Sequence, residues 1–334
     1  MTITDLLTIA IVMLFLSAYP AALSEVPQTY SVFLPVIQVS PRQIQLGGYL
    51  WGDVTKYARY DYLVPGQWVK WDVAWDEVES VQGVYSWSAI SDANSEYYKE
   101  HGYKQLINTQ HVPVWAKMSP DIECSPPSPE YIDNWINFVD ALLERYHPDA
   151  IELWNEPDCG LYSGAFWSTC FGLTPEYYSE VVTRAYTTLK SKYPEIVFVV
   201  GALTLGNEQD EAWIAEAMAS GLQGDALSFH SYAYDNQDYL AKLISQVEYL
   251  RSITDMPLWI TETVLLSDSD TTLFREHQAE YLTSVYHYAI DARIPVMIWY
   301  AQNQVDWKNC NMVNEYQLIR YPVWYEFEQL EGVP

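Results

Sequence analysis

The sequence predicts an α/β fold, a (β/α)8 TIM barrel that forms a single domain. Short β-rich runs alternate with stretches of helical length from Gln45 onward, a pattern typical of repeated βα units around a parallel sheet. The length of 334 residues fits this architecture, because such barrels have about 250 residues. No Gly-x-Gly-x-x-Gly follows the first run, which argues against an open doubly wound sheet.

Eight runs are predicted as strands, because each is short, largely apolar and bounded by turn-forming residues. They are residues 45–51, 68–75, 104–111, 150–155, 196–203, 226–232, 257–263 and 296–301. The clearest helix patterns are residues 129–146, 175–193, 236–252 and 272–292. Ser128 and Thr174 each precede a proline at a helix start, so both are predicted N-caps.

The N-terminus is predicted to be an export signal. Residues 6–16 are uncharged, and small residues follow as far as Ser24, the pattern of a secretory signal that is cleaved. The segment is too short to span a bilayer. Residues 1–5 contain no Lys or Arg, so an uncleaved anchor is the alternative. We therefore expect a signal peptide at residues 1–24, a linker or lead-in at 25–43, the barrel domain at 44–334, and a secreted protein.

The charge balance excludes whole classes of partner. The chain has 44 acidic and 17 basic side chains, a net charge of −27. Phosphate backbones and anionic membrane surfaces would be repelled by such a protein. We expect no nucleic-acid partner and, after signal cleavage, no membrane association. The sequence does not indicate an oligomeric state.

Two glutamates end two different predicted strands. The fourth strand ends in Trp154-Asn155-Glu156-Pro157, and the seventh ends in Trp259-Ile260-Thr261-Glu262. Strand C-termini meet at one mouth of such a barrel, where its chemistry takes place. Neither strand contains a basic residue, which favours a functional pair over two ion-paired or solvent-facing glutamates. Two carboxyl groups across one mouth are what glycoside hydrolysis requires.

These two motifs resemble those of the retaining glycoside hydrolases built on (β/α)8 barrels, whose signature is Asn-Glu-Pro. That clan includes β-xylosidase, β-glycosidase and cellulase-like families. Residues 75–87 also resemble the segment after strand two in several of them. The resemblance implies that Glu156 is the acid/base, Glu262 the nucleophile and Asn155 a hydrogen-bond donor to the sugar 2-hydroxyl. It also implies carboxyl groups about 5 to 5.5 Å apart.

The resemblance implies further substrate contacts. His230 and Tyr232 share a face of strand six, where the family's His and Tyr approach the nucleophile and the hydroxyl holds it ionised; a satisfied core histidine is the alternative. His111 ends strand three and is a candidate sugar ligand. Trp299 matches the tryptophan that floors the scissile-sugar subsite. Trp115 either extends that platform or packs a loop.

Two features limit the resemblance. Lys70 lies in strand two, where several of these families carry Arg. Because a lysine ammonium cannot form the two-pronged hydrogen bonds of a guanidinium group, we expect any contact that the family's Arg makes to be altered here. The cellulase-type families are therefore less favoured. Asn155 and Glu156 are adjacent, and a regular strand would send them to opposite faces. Both reach the sugar only where the strand ends or bulges, and Pro157 favours an end.

The chemistry is predicted to need no cofactor and no metal, because metal-binding, phosphate-binding and serine-elbow motifs are missing from the sequence. Of the four cysteines, Cys159 and Cys170 are predicted to form a bridge, with Cys124 as the alternative partner and Cys310 alone.

The function predicted from the sequence is that of a secreted retaining glycoside hydrolase acting on a β-linked polysaccharide or oligosaccharide. Two alternatives use the same residues: a transglycosylase, and a carbohydrate-binding barrel that has lost catalysis. Sugar identity and endo or exo action are not encoded in these motifs.

Overall fold

A computed structural model of the chain describes residues 44–50, 52–54, 66–121, 125–158, 174–235, 237–303, 308–314 and 319–331. All of them belong to one compact unit. The predicted signal and lead-in lie outside the described residues, as do Cys124, Cys159 and Cys170, so the predicted bridge stays a prediction. Cys310 has a free, buried thiol, and burial raises its pKa to about 11.

Eight parallel strands close into a barrel in chain order, with the last strand pairing with the first. The strands are β1 (Gln45–Tyr49), β2 (Trp68–Ala74), β3 (Lys104–Gln110), β4 (Ala150–Leu153), β5 (Val197–Leu203), β6 (Ala226–Tyr234), β7 (Leu258–Leu266) and β8 (Val296–Trp299). Each corresponds to one predicted run, so the predicted barrel is confirmed. Two short strands, β9 (Val313–Asn314) and β10 (Ile319–Arg320), pair antiparallel outside the barrel and were not predicted.

Helices cover the outside of the barrel. They are α1 (Trp75–Val78), α2 (Ala89–Glu100), α3 (Ile132–Tyr146), α4 (Pro175–Leu189), α5 (Glu208–Ala219), α6 (Tyr239–Ile253), α7 (Thr272–Asp291) and α8 (Pro322–Glu331). The predicted cap at Thr174 is confirmed, since its side chain accepts from the Tyr177 N–H. Ser128 also lies at the predicted N-cap position, ahead of Pro129 in a single 3-10 turn that precedes α3, but its side chain makes no capping hydrogen bond.

The barrel interior changes character along its axis. Near its base, apolar side chains fill it, including Trp68 and Trp259, whose rings meet edge to face at 5.3 Å. Alternation along β2 then places Lys70 and Asp72 on the same inner face as Trp68. The barrel interior therefore has an apolar base and a polar upper layer. The polar layer lies at the strand C-termini, where the sites of such barrels form.

Within the described ranges, no helix is both long enough and apolar enough to cross a membrane.

Candidate active site

The chain leaves the sheet immediately before Glu156. Strand β4 ends at Leu153, and both Trp154 (φ 85°) and Glu156 (φ 45°) adopt left-handed backbone conformations. Such a conformation costs a non-glycine residue about 1–2 kcal/mol and is typically retained at functional sites. The Glu156 N–H donates to the Ala202 carbonyl at 3.0 Å, which ties the turn to β5. The predicted strand end is thus confirmed, and adjacent Asn155 and Glu156 no longer follow strand alternation.

A bulge in β7 turns Glu262 inward. The pairing of β6 with β7 shifts between Phe229 and His230 and leaves Thr261 as an extra residue. Trp259 lies in the inner base layer, and in a regular strand a residue three positions later would face outward. The extra residue reverses this phase. Glu262 therefore shares the mouth with the inner side chains of β2 and β6.

His230 lies between the two glutamates and is within hydrogen-bond distance of Glu156. Its Nδ1 is 2.8 Å from Oε1 of Glu156, and its Nε2 is 3.6 Å from Oε1 of Glu262. The imidazole is fully buried. Burial alone would lower its pKa, but the two carboxylates outweigh burial and raise the pKa above its ordinary value. The structure therefore brings both predicted carboxyl groups to opposite edges of one ring.

Glu262 lies among groups that stabilise an ionised carboxylate. The Tyr232 hydroxyl donates to its Oε2, and Lys70 Nζ lies 2.8 Å from its Oε1. Burial and the charge of Glu262 raise the pKa of Tyr232 well above its usual value, so the hydroxyl keeps its proton and acts as a donor. The cation beside Glu262 comes from β2, a different strand, so the lack of basic residues in β4 and β7 did not exclude an ion pair.

Lys70 contacts a second carboxylate as well. Its Nζ lies 2.7 Å from Oε2 of Glu152, and both side chains are fully inaccessible to solvent. Burial would lower the pKa of Lys70, but Glu152 and Glu262 outweigh it and raise the pKa above its usual value. The lysine is therefore charged, and it binds two acids as a point charge.

A third acid lines the mouth. Asp72 accepts hydrogen bonds from the Tyr49 hydroxyl and, at 3.2 Å, from Gln110 Nε2. Burial raises its pKa to about 6, against the opposing effect of Lys70. Asp72 was not among the predicted site residues, although alternation from Lys70 would have placed it on the inner face.

The aromatic ring at the mouth is not the predicted one. Trp299 is 1% exposed, its ring packs against α7, and its Nε1 donates to the Cys310 carbonyl at 3.0 Å. This position does not fit the expected sugar platform. Tyr300 is half-buried, with its ring 5.0 Å from that of Tyr49 and 5.9 Å from that of Tyr232. Tyr300, the residue that follows β8, thus places its ring beside groups that surround Glu262.

The two remaining predicted residues lie at the rim. His111 Nδ1 lies 3.6 Å from Asp76, and this carboxylate raises the pKa of the imidazole. Trp115 donates to the Glu79 carbonyl at 2.9 Å and meets Trp75 edge to face at 5.5 Å. None of these contacts involves the two glutamates, and those of Trp115 fit loop packing.

In the part of the chain that the structure describes, no group of three or more His, Cys, Asp or Glu side chains is placed to hold a metal ion.

Known structures with the same fold include three carbohydrate-active enzymes. A family 39 glycoside hydrolase from Bacteroides cellulosilyticus WH2 matches with a TM-score of 0.65 and 18% identity, over 88% of this chain and 64% of its own. A family 30 subfamily 8 xylanase from Clostridium acetobutylicum matches with a TM-score of 0.61 and 14% identity, over 86% of this chain and 71% of its own. Xylanase 10B from Thermotoga petrophila RKU-1 matches with a TM-score of 0.61 and 13% identity, over 86% of this chain and 94% of its own.

The chain thus spans less than two thirds of the length of the family 39 enzyme. No protein-family profile and no curated protein matches the sequence. At these identities the comparison shows a shared fold, and one fold can carry many different activities. What is shown is that the chain has the (β/α)8 fold of these glycoside hydrolases.

Proposed function

We propose that the protein is a retaining glycoside hydrolase that cleaves β-linked polysaccharides or oligosaccharides. The observation that carries the proposal is the position of His230 between two carboxyl groups in different environments, one just after β4 and one within β7. Glu262 has a cation and a phenolic donor beside it. Glu156 has one buried imidazole as its partner and retains some exposure to solvent.

These environments divide the chemical work between the two residues. Glu262, ionised, attacks the anomeric carbon while protonated Glu156 gives its proton to the leaving oxygen as the glycosidic bond breaks. The products of this step are a glycosyl ester on Glu262 and a free alcohol. Glu156, now ionised, takes a proton from water, whose oxygen attacks the anomeric carbon and releases Glu262. Both residues return to their starting states.

The separation of the two carboxyl groups distinguishes double displacement from direct attack by water. One imidazole lies 2.8 Å from the Glu156 carboxyl group and 3.6 Å from that of Glu262. Retaining enzymes have carboxyl separations of about 5 to 5.5 Å, whereas inverting enzymes need about 6.5 to 9.5 Å for a water molecule. We expect the shorter separation in a crystal structure of the protein.

The substrate class follows from the mouth and from the similar structures. Tyr300 offers an aromatic face beside Glu262 on which a sugar ring can stack. Two of the similar structures are named as xylanases, so xylan and other β-linked glycans are the first substrates to screen. We place the enzyme outside the cell, exported by the signal predicted at residues 1–24.

Product analysis with and without an added sugar acceptor distinguishes the proposal from its alternatives. A hydrolase releases free sugar, a transglycosylase forms longer oligosaccharides, and a binding barrel that has lost catalysis gives no turnover.

Substitution of the two glutamates tests the assigned roles. Glu262→Ala should abolish hydrolysis. Glu156→Ala should retain activity on aryl glycosides whose leaving group needs no protonation, and azide should increase that activity by replacing water as the nucleophile. Glu248→Ala, on the exposed face of α6, is the control and should behave as wild type. Full activity of Glu262→Ala would refute the proposal.

A further inference from the structure

Lys70 and Glu152 form a buried ion pair directly beneath the nucleophile. Glu152 belongs to β4 and is fully buried, and its Oε2 lies 2.7 Å from Lys70 Nζ. Lys70 in turn lies 2.8 Å from Glu262. One ammonium group is therefore shared between an acid that reacts and an acid that cannot reach the mouth.

Glu152 is held in place from three strands. The Ser228 hydroxyl of β6 donates to its Oε1 at 2.7 Å, and Asn108 Nδ2 of β3 lies 3.2 Å from its Oε2. Asn108 Nδ2 also donates to the Trp154 carbonyl at 2.8 Å. Burial would raise the pKa of Glu152, but the charges of Lys70 and His230 and the hydrogen bonds from Lys70 and Ser228 together outweigh burial and lower the pKa below its ordinary value. Glu152 is therefore an ionised and fixed anion at neutral pH.

The charge of Glu262 changes during the proposed reaction. As its oxygen bonds to the anomeric carbon and the leaving oxygen takes the proton of Glu156, the Glu262 carboxylate becomes a neutral ester. Without Glu152, this step would leave Lys70 as an unpaired ammonium inside the barrel, and an unpaired buried charge is strongly unfavourable. With Glu152 present, a neutral Lys70–Glu152 pair remains.

We propose that Glu152 is a positioning residue that acts through Lys70: it holds the ammonium group in place and compensates its charge once Glu262 is esterified. This proposal rests on the proposed function and goes beyond it, because it assigns a task to an acid that touches no substrate. Sharing the ammonium also leaves more negative charge on Glu262 before attack, which favours nucleophilic reaction.

The test substitution is Glu152→Gln, which removes the charge and nearly preserves the shape. Turnover should fall about tenfold or more, with little change in KM, because the loss arises after substrate binding. The acid limb of the kcat/KM profile should move to lower pH, because Glu262 loses a neighbouring anion and gains a larger share of Lys70. Besides Lys70, the titratable groups around Glu262 in the described part of the chain include Tyr49, Asp72, Glu152, Glu156, His230, Tyr232 and the Cys310 thiol.

A control distinguishes this effect from loss of stability. Asp225 pairs with Lys190 at 2.7 Å at the opposite end of the barrel, just before β6 begins. Asp225→Asn also breaks an ion pair, so it should lower the free energy of unfolding without moving the acid limb. If Glu152→Gln lowers only the free energy of unfolding, while turnover stays within twofold of wild type and the acid limb of the kcat/KM profile does not move, the proposal is overturned.

A second comparison serves if Glu152→Gln does not fold. In the Lys70→Met background no ammonium needs compensation, so adding Glu152→Gln should not lower turnover further. A further loss in that background would overturn the proposal. Wild-type hydrolysis is measured first, because an inactive wild type refutes the proposed function and the role of Glu152 together. If the wild type is active and Glu152→Gln has the same turnover and pH profile, only the role proposed for Glu152 is refuted.

Discussion

Replacing Trp299 and replacing Tyr300 should have opposite consequences, although the two residues are neighbours. Trp299 is 1% exposed and its indole N–H donates to a backbone carbonyl. Truncating a buried tryptophan to alanine costs about 3–5 kcal/mol, because apolar contacts are lost and a cavity remains. Trp299→Ala should therefore lower the free energy of unfolding by about this amount. Its remaining folded fraction should retain most of its turnover.

Tyr300→Ala should show the reverse. The ring is half-buried and contacts the tyrosines beside Asp72 and Glu262, so its loss should lower the free energy of unfolding by less than about 2 kcal/mol. Turnover should fall by about 100-fold, since the sugar loses its stacking surface and is misplaced relative to the carboxyl groups.

Urea unfolding and hydrolysis rates per folded molecule, measured on both variants, check this pair of expectations. Trp299→Phe is a suitable control, because it fills most of the space with an apolar ring and should lie between wild type and Trp299→Ala in stability. A Trp299→Ala protein with wild-type stability and greatly reduced turnover would show that the indole faces the mouth, which would contradict the structure.

Two further predictions concern hydrogen bonds to buried carboxylates. Tyr232→Phe removes the hydroxyl that donates to Glu262, so kcat should fall about 10- to 100-fold in a steady-state assay. The acid limb of the pH profile of kcat/KM should also move to higher pH, and an unchanged profile would refute this role of Tyr232. Asp158 accepts from the N–H groups of Thr204 and Leu205, and burial raises its pKa from 3.8 to about 7. The folded protein therefore binds more protons than the unfolded chain between about pH 4 and pH 7, so the free energy of unfolding should fall as the pH rises through this range. Asp158→Asn should flatten this dependence in urea titrations at about pH 5 and pH 8, and an identical dependence in the variant would contradict it.

The strands of the barrel could be predicted because buried parallel strands are short apolar runs bounded by turn residues. Strand β2 was expected at residues 68–75 and runs from Trp68 to Ala74. Helices α2 and α5 were missed, since α2 has a polar composition and α5 shows only a weak apolar face. Their N-caps at Ser88 and Asn207 were the usable signals.

The site was only partly predictable because much of it depends on strand phase. The bulge at Thr261 leaves no mark in composition, yet it decides that Glu262 faces inward. In β8, Ile298 lies in the inner layer, so alternation sends Trp299 outward and Tyr300 inward. The uniformly apolar run 296–299 does not reveal this phase, and the match to the family's tryptophan pointed to Trp299, which the structure buries against α7.

The Lys70–Glu152 pair was missed for a different reason. The two residues lie far apart in sequence, and an ion pair between non-adjacent strands follows from the height of each residue in the barrel. A glutamate inside an otherwise apolar strand was the available signal, because a buried acid needs a partner. Lys70 was identified as a departure from the family pattern, but its two contacts became visible only in the structure.

The anomeric configuration of the first product tests the central claim most directly. A β-linked oligosaccharide that supports turnover is hydrolysed with a large amount of enzyme, and proton NMR spectra are recorded before the free sugar mutarotates. Double displacement through Glu262 inverts the anomeric carbon twice, so the first product detected should be the β-anomer. An α-anomer appearing first would contradict the assignment of Glu262 as nucleophile and Glu156 as acid/base.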